Sequence, residues 1–205
     1  MEITIVVDNV IERGRNLIAA HGFSALIEGD KTILFDTGQG REVVNNLTVL
    51  GKDISSIESV VLSHGHYDHT GGLVFLRDRI SPTLYYHASF FEPQYKEGEY
   101  IGVPISLKTL LDYGWCLEEV NGILDMGGGI YLVNKIGKYN DFEVSSYFFP
   151  YEIVLVIDGA GGLVIVSGCS HRGICNIVEH VEKEFGKKVG AVVGGLHLFL
   201  SLIHI

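Results

Sequence analysis

The chain is predicted to be an α/β protein, on three observations. Short apolar runs of strand character alternate with stretches of helical periodicity along most of its 205 residues. The histidines fall mainly where those runs end in glycine-rich turns, which is where open α/β sheets collect their ligands. A composition of 47% hydrophobic and 20% charged residues suits one sizeable core, so one domain over residues 1–199 is expected.

The elements follow in order. Ile3 to Val7 reads as a strand, and Phe23 to Glu28 and Lys31 to Phe35 as two more joined by a tight hairpin at Gly29-Asp30. A helix is predicted over Arg41 to Leu50, closed by Gly51. Ser59 to Ser63 is a buried strand, and after the histidine-rich turn a helix runs from Gly71 or Gly72 to about Arg79 with Thr70 as N-cap. Thr83 to His87 is the next strand. From Ala88 to Tyr113, Pro93, Gly98, Gly102 and Pro104 punctuate a loop with short helical pieces that is expected to border a substrate cleft. Strands return at Ile130 to Val133, Ile153 to Ile157 and Leu163 to Val166, the last two linked by a hairpin at Gly159 to Gly162. Ile174 to Phe185 is an amphipathic helix with Ile174, Ile177, Val178, Val181 and Phe185 on one face, ended by Gly186. Val189 to Val193 is a final strand.

The turn Ser63-His64-Gly65-His66-Tyr67-Asp68-His69-Thr70 carries the chemistry. Three imidazoles and a carboxylate packed this tightly compete with one another unless a cation organises them, and neutral imidazole plus carboxylate is a donor set that Zn²⁺, Fe or Mn accepts. His64 and His66, two apart, leave the strand on one side. Asp68 and His69 diverge across the turn, so one loop can feed two metals. Surface or core histidines are the bland reading, which four donors in six positions make improbable. Two long-range donors follow later strands: His171 in Ser167-Gly168-Cys169-Ser170-His171-Arg172-Gly173, and His197 in Gly194-Gly195-Leu196-His197-Leu198. Asp36, after Ile33-Leu34-Phe35, either orients a ligand imidazole through its other ring nitrogen or simply forms the Asp-Thr-Gly turn. Cys169 is a structural thiol or a soft ligand. Arg172 either neutralises an anionic substrate group or is exposed, and Tyr67 either reaches substrate or packs. His21 and His87 are weaker candidates, and His180 is placed at the surface in mid-helix.

Other classes are disfavoured. A net charge of −10, from 25 acidic and 15 basic residues, argues against a nucleic-acid footprint, so a small-molecule substrate is expected. No apolar run approaches the roughly 20 residues of a membrane span. The start Met1 to Asp8 lacks a basic segment followed by an apolar one. Cys116, Cys169 and Cys175 form no C-x-x-C pair, so a reducing, cytoplasmic setting is expected, with Cys116 as a packing residue. Oligomeric state is not readable from these features.

His64-Gly65-His66-Tyr67-Asp68-His69 resembles the H-x-H-x-D-H signature of the metallo-β-lactamase-fold superfamily, and Asp36-Thr37-Gly38 resembles its preceding Asp motif. More narrowly, His21-Gly22-Phe23-Ser24 and the turns holding His171 and His197 are similar to the subgroup named after dihydropterin ribofuranosylaminobenzene phosphate synthase. The resemblance implies an αββα sandwich. It implies two divalent metal ions, with zinc first and Fe or Mn as alternatives. His64, His66 and His171 would hold one and Asp68, His69 and His197 the other, with Asp68 and His171 also expected to act in catalysis. Cys169 stands where the wider superfamily often has a bridging aspartate. The subgroup continues past the last strand with another helix and strand, and Leu200 to Ile205 reads as the translation of a transposon-end library adapter. Residues 200–205 are therefore expected to be a non-native tail.

The reaction expected first is hydrolysis of a small ester, lactone or phosphoester by the hydroxide of a dinuclear centre. Two rivals are a transferase joining a dihydropterin to an aminobenzene ribofuranosyl phosphate, and a non-catalytic metal-binding sensor or redox protein. Electron-transfer relatives carry glutamate where this chain has His66, which speaks against the redox form.

Overall fold

The computed structural model describes residues 1–11, 14, 16–140, 142–143 and 150–196. His197 and the segment 200–205 lie outside the described residues. The chain divides into two compact units, Met1–Val120 and Asn121–Ile205, each with its own sheet.

The first unit is built on a six-stranded sheet of order β1-β2-β3-β4-β5-β8. Its strands are β1 (Glu2–Val7), β2 (Ser24–Glu28), β3 (Thr32–Phe35), β4 (Ser59–Val61), β5 (Thr83–Tyr86) and β8 (Cys116–Glu119). β1, β2 and β3 pair antiparallel, with Glu28 opposite Thr32 across the predicted hairpin, and β3, β4, β5 and β8 run parallel. Ile33, Leu34, Phe35, Val60, Val61 and Leu62 are fully buried, the unbroken apolar run that a central parallel strand needs. Each such side chain contributes about 1.5–3 kcal/mol by leaving water.

Helix α1 (Glu42–Val49) ends at Gly51 in the left-handed region, as expected. Its buried Asn46 donates to the carbonyls of Val6 and Ile18 and accepts from Ile18 N–H, tying the chain after β1 to the helix. After β4 the structure departs from the expected single helix. Helix α2 (Tyr67–Thr70) and helix α3 (Leu73–Leu76) are separate short pieces. Thr70 is no N-cap: His66, extended at φ −80° and ψ 146°, holds that position, and Thr70 Oγ1 donates to the His66 carbonyl instead. Asp68 and His69 therefore sit on a helical turn.

The stretch after β5 contains a 3-10 turn (Ala88–Phe91), a small hairpin of β6 (Tyr95–Lys96) and β7 (Glu99–Tyr100), and helix α4 (Leu107–Asp112) capped by Ser106. β8 was not expected from the sequence. Cys116 at its start is exposed, correcting its expected packing role.

The second unit has a five-stranded sheet of order β13-β12-β11-β10-β9. Its strands are β9 (Ile123–Gly127), which the sequence did not announce, β10 (Ile130–Val133), β11 (Val154–Gly159), β12 (Gly162–Ser167) and β13 (Val189–Gly194). All neighbours are antiparallel except β12 and β13, whose parallel pairing is made possible by helix α5 (Ile174–Phe185). The predicted apolar face of α5 is the one that packs: Ile177 and Val181 join Val133, Val154, Val156, Leu163 and Ile165 in one core, with Ile174, Val178 and Phe185 against it. Gly186, at φ 62°, ends the helix. Among the described residues no helix is long and apolar enough to cross a membrane.

Candidate metal centre

The site in the first unit is set by strand register. Phe35 lies opposite Val61 in the parallel β3–β4 pair, so the residues just past both strand ends meet, and Asp36 N–H donates to the Val61 carbonyl at 2.8 Å. Asp36 takes φ 55°, a conformation that costs a non-glycine residue of order 1 kcal/mol and that aspartate tolerates better than most. That bend aims a fully buried carboxylate at the histidine turn.

Both Asp36 oxygens are engaged. Oδ1 accepts from Ser63 N–H at 2.7 Å, and Oδ2 accepts from Ser63 Oγ and from His69 Nδ1, each at 2.7 Å. A carboxylate only accepts, so His69 carries its proton on Nδ1 and its lone pair on Nε2. Ser63 has a single hydroxyl proton, which goes to Asp36. Its oxygen therefore accepts from His64 Nδ1, 2.8 Å away, leaving the His64 lone pair also on Nε2. One carboxylate thus selects the tautomer of two histidines, one directly and one through Ser63.

The donors then converge. The rings of His66 and His69 lie 4.7 and 4.3 Å from that of His64, all three buried. His64 Nε2 and His66 Nδ1 are 3.1 Å apart, and His69 Nε2 lies 3.3 Å from Asp68 Oδ2. Two donors bonded at about 2.1 Å to one tetrahedral Zn²⁺ stand about 3.4 Å apart. The spacing, the burial and the all-imidazole and carboxylate chemistry fit a divalent cation. Burial raises the Asp68 pKa; with no cation at the site, a second proton on His69 Nε2 makes that ring a charged donor to Asp68, and this, with the charge of His21, holds the carboxyl down at about 2, a bound cation taking that proton's place.

Two glycines let neighbouring loops close on this cluster. A Cβ on Gly22, at φ 105°, would stand 1.8 Å from the Asp68 carbonyl oxygen, and one on Gly72 would stand 2.1 Å from that of Thr37. Both glycines thus serve a close approach of loop against loop. Thr37 N–H and Oγ1 both donate to the His69 carbonyl, stapling the Asp36 loop to α2. His21, ranked low from the sequence, is brought by the Gly22 contact to 3.5 Å between its Nε2 and Asp68 Oδ2, while its ring stays largely exposed. His87 instead bonds Ser89 at the start of the 3-10 turn. Tyr67 is partly exposed.

In the second unit His171 is buried in the turn after β12. Its N–H donates to Glu152 Oε2 at 2.9 Å, and Arg172 N–H donates to Glu152 Oε1. The Arg172 side chain is half-buried, with Nε donating to the Ile136 carbonyl at 2.8 Å. Cys169 is half-buried. Ser170 Oγ donates to the Gly195 carbonyl and Gly195 N–H to that of Gly168, so the two glycine-bearing turns marked in the sequence are neighbours. His180, in α5, is partly buried and meets Tyr139 Oη at 3.0 Å. Sequence reasoning missed Ser63 and Glu152. The first is a commonplace serine. The second is a lone acid flanking an apolar strand, with no local sign of burial.

The profile of the Metallo-beta-lactamase superfamily matches residues 18–134. The chain is 33% identical to 7,8-dihydropterin-6-methyl-4-(beta-D-ribofuranosyl)-aminobenzene-5'-phosphate synthase of Methanocaldococcus jannaschii, over 87% of this chain and 71% of that protein. It is 30% identical to MJ0448 of the same organism, an uncharacterized protein, over 96% of this chain and 79% of that one. The solved structure of Tm1679, described as a metal-dependent hydrolase of the beta-lactamase superfamily, superposes with a TM-score of 0.80 at 29% identity, covering 97% of this chain and 77% of its own. A quorum-quenching N-acyl homoserine lactone lactonase superposes with a TM-score of 0.55 at 16% identity, covering 84% of this chain and 78% of its own, a likeness of fold alone.

Proposed function

This chain belongs to the metallo-beta-lactamase superfamily and has its α/β fold, and we propose that it is a metal-dependent hydrolase acting on a small ester, lactone or phosphoester. The donors assigned are His64, His66, Asp68 and His69 in the first unit and His171 and His197 in the second, serving two divalent ions with zinc preferred. When bound, such ions polarise a carbonyl or phosphoryl oxygen and lower the pKa of a water to near 7. The observation that carries the reading is the tautomer selection by Asp36, which presents the Nε2 lone pairs of His64 and His69. The chain's own contribution is then orientation and proton handling. Asp68, acceptor-only when ionised, takes a hydrogen bond from a water at the site and orients its attack. Asp36 holds the imidazoles without itself touching substrate. Arg172, whose Nε is committed to the Ile136 carbonyl, is assigned to the turn rather than to an anionic substrate.

The test is metal analysis of the purified protein beside an ester, lactone and phosphodiester panel. Two ions per chain with turnover lost on chelation support the reading; fewer than two with no metal-dependent turnover overturn it. The 33% identity to a synthase favours a second reading, a transferase condensing a dihydropterin with an aminobenzene ribofuranosyl phosphate. Product formation that requires the dihydropterin would replace hydrolysis as the assignment.

A further inference from the structure

One buried charge is used by none of this chemistry. Glu152, just before β11, is 1% exposed. A carboxylate leaves water at a cost of several kcal/mol unless its oxygens are satisfied, and for stability alone an apolar side chain serves as well or better. Glu152 spends both oxygens on one turn, accepting from the N–H of His171 at 2.9 Å and from the N–H of Arg172. These two amides flank the Cα of His171. Fixing both removes rotation on either side of that residue and so sets the direction of its Cα–Cβ bond. The preceding Ser170 is held at φ 55°, a conformation that costs a non-glycine residue of order 1 kcal/mol, so the turn is held by its contacts and not by local preference alone. Arg172 Nε, bonded to the Ile136 carbonyl, braces its other side.

We propose that Glu152 is a positioning residue for His171, clamping the backbone so that the imidazole is delivered to a metal ion without a search. This rests on the assignment of His171 as a metal donor. The test compares wild type, Glu152→Gln, His171→Ala and the double variant for Zn²⁺ affinity, by competition with a chromophoric chelator, and for the visible spectrum of the Co²⁺-loaded protein. Circular dichroism and thermal melting establish that each is folded. A glutamine offers one acceptor oxygen where two amides need one each, so Glu152→Gln should weaken Zn²⁺ binding by about 10–100-fold and shift the Co²⁺ spectrum towards that of His171→Ala. In the His171→Ala background the same change should alter affinity less than about twofold. A loss of similar size in both backgrounds marks a purely structural or long-range charge effect and overturns the proposal. So does a Glu152→Gln protein that binds like wild type. If His171→Ala itself binds like wild type, the donor assignment falls and the proposal with it; if only Glu152→Gln is silent, the donor assignment stands alone. Should Glu152→Gln fail to fold, Glu152→Asp keeps the charge but shortens the reach, and a folded Glu152→Asp with wild-type affinity is equally fatal.

Discussion

Asp36 organises the site without belonging to the donor set. Its four-way position, accepting from Ser63 N–H, Ser63 Oγ and His69 Nδ1 while its own carbonyl accepts from Ser24 Oγ, makes it the residue whose loss spreads furthest. Asp36→Asn should lower metal affinity by about 10–100-fold, measured by chelator competition, because an amide can offer its NH₂ to a ring nitrogen that must donate. Ser63→Ala removes only the relay to His64. It should cost about 1–3 kcal/mol in urea denaturation, since it strips a buried hydroxyl from two partners. The histidine turn itself was legible because four donors in six positions are chemically conspicuous. Ser63 was not, because nothing in a serine before a histidine reveals which way its single proton points until the carboxylate 27 residues earlier in the chain is placed beside it.

At the level of elements, period and punctuation carried the reading where burial was one-sided or complete. Helix α5 ends where its apolar face and Gly186 place its end, and β2 and β3 form the expected hairpin, though its loop is Gly29-Asp30-Lys31, one residue longer than the Gly29-Asp30 turn predicted. β8 escaped notice because it is largely exposed, so its residues bear little trace of a core. The helix after the histidine turn was misplaced for a different reason: Thr70 is a strong capping type, yet an extended His66 starts the helix earlier with no side-chain cap at all. Ile177→Ala, in the buried face of α5, should destabilise the protein by about 2–5 kcal/mol in the same urea assay. Gly72→Ala should cost about 3 kcal/mol or more, because the atom it would meet at 2.1 Å is backbone and cannot swing away. A melting temperature within a degree or two of wild type for Gly72→Ala would mean the Asp36 loop and the helical turns are less tightly joined than described.

For the whole molecule, composition and sheet order limit what the chain does more than they define it. The net charge of −10 disfavours polyanion binding, and the family match supplies the fold, but substrate identity is written in neither. Metal removal offers the broadest readout. A ligand bound by the folded chain at 100 times its dissociation constant adds about 2.7 kcal/mol. Dialysis against a chelator should therefore lower the melting temperature by several degrees, with Zn²⁺ restoring it, as followed by differential scanning fluorimetry.

The parallel pairing of β3 with β4 has a consequence in time. Parallel neighbours need a long crossover and form late compared with hairpins. The carboxylate at the end of β3 and the histidines beyond β4 therefore meet only once that crossover has closed. Until then the histidine turn lacks the proton placement that Asp36 imposes through Ser63 and His69. The ordered pair of Nε2 lone pairs is thus acquired with the sheet itself, as a product of long-range pairing and not of the histidine turn alone.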